Sequence, residues 1–109
     1  MKPLTPADII QIVAQATGVD HSELASGTRH RAASCARAVY SFMCRRYTTA
    51  SYPEIAAAMA IRTHSTVVTA DQSVGAALEG RVITANGPMI LETLARCERE
   101  LVEMYAGKP

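Results

Sequence analysis

The stretch from Ser51 to Val67 constrains this chain more than any other. It reads as a short capped helix, a tight break and a second helix. Ser51 and Glu54 form the S-x-x-E pattern, in which each side chain satisfies a backbone N–H at the other residue. Pro53 falls in the first turn, where a missing N–H costs nothing. Ile55, Ala56 and Met59 give that helix its inward face, and the small alanines 56, 57, 58 and 60 leave room for close approach of another helix. Ala60, Ile61 and Arg62 make the break, and Thr63 can cap the next helix by accepting from backbone N–H groups. The second helix therefore opens on Thr63, His64, Ser65 and Thr66, just after Arg62. A helix start so rich in donors and acceptors suits phosphates and base edges in a DNA groove.

The rest of the chain also reads as helices. Thr5, Pro6 and Asp8 resemble an N-cap, a proline at N1 and an acid at N3, and Ile9, Ile10, Ile12, Val13 and Ala16 follow as an apolar stripe that Gly18 stops. Asp20 can cap a short helix through Leu24, ended by Gly27. From 30 to 47, Ala36, Val39, Tyr40, Phe42, Met43 and Tyr47 have the spacing of one buried helix face. Arg37, Ser41, Cys44 and Arg45 then form an outward stripe, with Arg29 and Arg31 at its entry. Val67, Val68, Ala70, Val74, Ala77 and Leu78 carry the helix after the break as far as Gly80. Asn86, Gly87 and Pro88 signal a loop. A last amphipathic helix uses Ile90, Leu91, Leu94, Cys97, Leu101, Val102 and Tyr105, with Arg96/Glu100 and Arg99/Glu103 as i,i+4 pairs. The expectation is an all-α, compact multi-helix domain of five to six helices. It occupies residues 1–109 as one unit, with a helix-turn-helix at about 51–79 and an extra C-terminal helix at about 88–106.

Composition narrows the chemistry. At 109 residues and 49% hydrophobic content the chain can build one modest core. No apolar run approaches the ~20 residues that span a bilayer, and the N-terminus has no secretory pattern, which points to the cytoplasm. Cys35, Cys44 and Cys97 form no C-x-x-C pair, and His21, His30 and His64 hold no ligand spacing with them, so neither a disulfide framework nor a metal is expected. No nucleophile, base and orienting acid come together, so no enzyme activity and no cofactor are expected. Net charge is only +1, but six arginines (29, 31, 37, 45, 46 and 62) stand between residues 29 and 69 against the single acid Glu54. The rest of the chain carries five basic and nine acidic side chains. Such separation makes a local positive field, and the planar guanidinium fork suits phosphate and guanine.

The runs LASGTRHR from Leu24, ARAV from Ala36, SYPEI from Ser51 and RTHSTV from Arg62 keep their mutual spacing over some forty residues. Over 9–73 the chain resembles the C-terminal DNA-binding domain of the bacterial replication initiator DnaA. That domain's helix-turn-helix is of the Trp-repressor-like kind, and its signature at the last run is close to RDHSTV. The resemblance implies a double-stranded DNA partner with a DnaA-box-like site, and a role at replication origins on the nucleoid. It gives Arg29 to the minor groove, and Arg31, Arg37 and Arg45 to phosphates or their neighbourhood. Ser51 and Pro53 fall at the start of the first helix of the helix-turn-helix. Arg62, Thr63, His64, Ser65 and Thr66 fall at the head of the recognition helix, in the major groove.

Some positions depart from the family. Thr63 replaces an aspartate that contacts a base, which keeps the cap but removes an anionic acceptor. Ala57 and Ile61 stand where glycines are usual, and Ala38 where a polar residue often meets DNA. No G-x-x-x-x-G-K-[ST] loop is present to cradle ATP phosphates, so the expected role is the DNA-reading part alone. The alternative is a helical protein–protein interaction module, or a transcription regulator on the same fold with weak or altered DNA binding. Replication proteins or a second copy, met through the C-terminal helix, would then be the partners.

Overall fold

Two reciprocal caps and a left-handed glycine set the first boundaries. The computed structural model describes residues 4–25, 31–59, 64–80 and 87–105. Helix α1 spans Pro6–Thr17. Thr5 Oγ1 accepts from the Asp8 N–H, and the Asp8 carboxylate accepts from the Thr5 N–H at 2.9 Å. Gly18 ends α1 at φ +74°, a conformation that a side chain would strain, and its N–H bonds the Ala14 carbonyl at 2.9 Å. Helix α2, His21–Ala25, is one short turn whose Leu24 is buried. Helix α3 is Arg31–Tyr47, α4 is Tyr52–Ala58, α5 is His64–Leu78 and α6 is Gly87–Tyr105. The fold is all-α. Among the described residues the only β-type pairing is an isolated bridge between Leu4 and Thr48, which tacks the N-terminus to the end of α3.

Helix α3 is the centre of the molecule. It packs most extensively on α5, then along α1 and α6, with α2 and α4 at its flanks. Its Ala33, Cys35, Ala36, Val39, Tyr40, Met43 and Cys44 join Ile9, Ile12, Leu24, Ile55, Met59, Val67 and Val74 in one core. The radius of gyration is 12.9 Å, close to the ~13 Å of a compactly packed chain of this length.

This central placement corrects one expectation. Ser41 and Cys44 belong to the anticipated outward stripe, yet Ser41 is 1% exposed and Cys44 fully buried. A helix with neighbours all round buries more than one face, and its small polar residues can join the interior if their hydrogen bonds are met locally. The Ser41 hydroxyl does this by donating to the Arg37 carbonyl at 3.0 Å. Phe42 and Tyr47, assigned to the inner face, are only partly buried. On α4, Ala56 faces the core while Ala57 and Ala58 are exposed, so the small residues do not all serve close packing.

The last helix is part of the same body. Ile90, Leu94 and Cys97 of α6 are buried against α1, α3 and α5. Tyr47 at the end of α3 donates its hydroxyl to the Glu98 carboxylate across that contact. Leu91 and Val102, expected on the inner stripe, are 37% and 58% exposed. Arg96 reaches back to Glu92 at 3.3 Å rather than forward to Glu100. No helix among the described residues is long and apolar enough to cross a membrane.

Candidate nucleic-acid interface

Helix α4 starts on the expected capping box. Ser51 Oγ accepts from the Glu54 N–H at 3.3 Å, and Glu54 Oε1 accepts from the Ser51 N–H at 3.0 Å and from its hydroxyl at 2.9 Å. Those two donors hold the Glu54 carboxyl below the usual carboxylate range, although the group lies in solvent. Pro53 is exposed in the first turn. At the other end no glycine stops the helix. Met59 takes φ −101°, ψ 7°, and its N–H turns to the Ala56 carbonyl. The Ile55 carbonyl is met instead by the buried Tyr40 hydroxyl, at 2.6 Å. A polar tip on the central helix therefore completes the bonding of α4 and fixes where it docks.

Helix α5 begins at His64, so His64, Ser65 and Thr66 occupy its first turn, as expected. Thr66 is exposed there. The side chains of His64 and Ser65, and the whole of Arg29, Arg62 and Thr63, lie outside the described residues. Val67 and Val74 anchor the opposite side of α5 in the core. Thr69 and Gln72 are also exposed, at three-residue steps after Thr66, and extend the same outward stripe. Sequence reading did not single them out. The signal available was their polar character at helical spacing from Thr66, opposite Val67 and Val74.

The arginines fall into distinct environments. Arg31 is exposed at the start of α3. Arg37 is half-buried, and one of its guanidinium nitrogens donates to the Leu24 carbonyl at 3.4 Å, which ties α2 to α3. Burial lowers its pKa. Arg45 is exposed near the end of α3, donates to the Ala50 carbonyl at 3.3 Å and lies over the Tyr52 ring at 4.4 Å from its centroid. The Tyr52 hydroxyl in turn donates to Asp71 of α5 at 2.9 Å. That bond pushes the phenol pKa up, while Arg45 opposes it. Arg46 sits beside Phe42 and Tyr47, 5.8 and 5.9 Å from their ring centroids. Phe42, Arg45, Arg46, Tyr52 and Asp71 line one shallow open cleft where α3, α4 and α5 meet. Arg45 thus touches α4 directly and α5 through a single tyrosine.

The same helices have counterparts in known proteins. A family model described as bacterial DnaA protein helix-turn-helix matches residues 6–74, which takes in α1 to α4 and most of α5. A chromosomal replication initiator protein DnaA from Picosynechococcus sp. (strain ATCC 27264 / PCC 7002 / PR-6) is 34% identical over 73 residues, 67% of this chain. The matched part is 16% of that relative's length. No solved structure matches the chain.

Proposed function

The chain belongs to the family of bacterial DnaA helix-turn-helix domains, and we propose that it is a sequence-preferring binder of duplex DNA whose site resembles the DnaA box. The first turn of α5 enters the major groove, where Thr63, His64, Ser65 and Thr66 meet base edges and phosphates, with Arg62 beside them. A threonine methyl at this place can pack on a thymine methyl. Arg29 reaches the adjacent minor groove, whose negative potential is greatest where A·T tracts narrow it. Arg31, Arg37, Arg45 and the start of α4 at Ser51 and Pro53 lie along the backbone and set register without reading sequence. The setting is replication initiation or its control on the nucleoid, and no ATP chemistry is assigned to these residues.

One observation carries this reading. The helix whose outward stripe begins at exposed Thr66 packs more extensively on the helix that bears Arg31, Arg37 and Arg45 than on any other. Selection of sites from a random duplex library at two salt concentrations tests it. A recurrent motif is expected, with log K falling by ~0.9 per phosphate contact for each tenfold rise in salt. Thr66→Ala should cost about 1–3 kcal/mol on the selected site and less on random duplex. Recovery of no motif, together with affinity that ignores salt, would overturn the proposal in favour of a protein-binding module.

A further inference from the structure

We propose that Tyr52 is a positioning residue for duplex binding, holding the Arg45 guanidinium free of Asp71 and aligned with the helix that enters the groove. This rests on the DNA-binding reading above. Asp71 is an acid on α5, in the same cleft as Arg45 and Arg46. An arginine lining the same cleft as a carboxylate can close a forked ion pair and spend its charge there. Among the described residues no such pair joins Arg45 to Asp71. Tyr52 separates them chemically. Its hydroxyl occupies a carboxylate oxygen of Asp71 at 2.9 Å, and its ring face takes the Arg45 guanidinium at 4.4 Å. The Ala50 carbonyl fixes one further guanidinium nitrogen at 3.3 Å.

The result is an arginine held on one side by a ring and at one nitrogen by a carbonyl, with donors left over from the five it carries. Ring stacking leaves its positive charge intact, whereas a carboxylate would neutralise it. The same tyrosine lies in the first turn of α4 and bonds the middle of α5. Backbone grip and groove entry therefore share one anchor.

The test is duplex affinity over a salt series for the wild type, R45A, Y52L, Y52F and the double variant R45A/Y52L, with helical circular dichroism on each. R45A should lower the salt slope by ~0.9 and weaken binding about 8-fold at ~0.1 M salt relative to ~1 M, the weight of one phosphate contact. Y52L, which lets Asp71 capture Arg45, should lower the slope to the same extent, and R45A/Y52L should lower it no further. Y52F keeps the ring under Arg45 but releases the Asp71 oxygen, so its slope should fall between those of the wild type and Y52L. A Y52L slope equal to wild type, a Y52F slope as low as that of R45A, or slope losses that add in the double variant would each overturn the assignment. A wild-type chain whose duplex binding ignores salt would instead remove the DNA-binding reading, and this inference with it.

Discussion

Single residues in this chain hold more than their neighbourhood suggests. Tyr40 is fully buried, and its hydroxyl donates to the Ile55 carbonyl at 2.6 Å. Tyr40→Phe keeps the ring volume and removes that donor, so it should lower the unfolding free energy by ~0.5–1.5 kcal/mol in a denaturant titration. The thiols make a second case. Burial pushes Cys44 and Cys97 up to about 12. In the unfolded chain a thiol ionises near ~8.5. The folded state therefore keeps its protons longer, and the associated stability is complete below that pH and lost as pH climbs toward the folded values. Denaturant titrations should give a level stability near neutrality and a decline above about pH 9 of up to ~1.4 kcal/mol per pH unit for each thiol. Cys97→Ala should flatten part of that decline. The identity of Tyr40 as a core residue is readable from its helical spacing. Its partner is not, because a hydroxyl's destination fifteen residues away depends on how α4 docks.

At the level of elements, local chemistry was the most legible part of the chain. Both capping boxes, the Gly18 stop and the start of α4 follow from residues within a turn of one another. Ser51→Ala should cost ~0.5–2 kcal/mol of stability, while Ser51→Gly should cost only a few tenths. The Ser51→Ala deficit should shrink in acid. Glu54 is held below its usual range, so the stability it lends is present above ~4.3 and fades as pH falls through its depressed value. Thermal unfolding followed by circular dichroism at neutral and acid pH checks both statements. What periodicity could not reveal was how many sides of a helix are covered. A single apolar stripe implies one buried face, and α1 obeys this. α3 does not, because five other helices lie against it, and Ser41, Cys44 and Ala38 were drawn inward with the rest.

For the whole molecule, the family resemblance read from four short runs over 9–73 agrees with the matched span of 6–74. The region past that span was harder to read. Sequence left open whether the final helix packs on the domain or pairs with another copy, since an amphipathic stripe is the same in either case. Leu94 is 3% exposed and Val102 58%, so the stripe divides into a docked part and a solvent part. Leu94→Ala should cost ~2–5 kcal/mol, and Val102→Ala should stay within ~0.5 kcal/mol. Calorimetric or denaturant unfolding of the two variants compares them directly. Similar small effects from both would mean that α6 is dispensable to the fold. The basic side chains remain the part of the candidate surface most visible in sequence, because charge does not depend on docking. The Tyr52 link to Asp71 was invisible for the opposite reason.

Helix α3 is mostly buried between Cys35 and Cys44, yet it reaches solvent near its ends at Arg31 and Arg45. It behaves like an axle whose bearings are the core, and under the proposed function its tips do the gripping. A genetic screen for variants that release DNA should therefore return interior changes along α3 beside the expected surface arginines. Heat sensitivity would tell the two kinds apart.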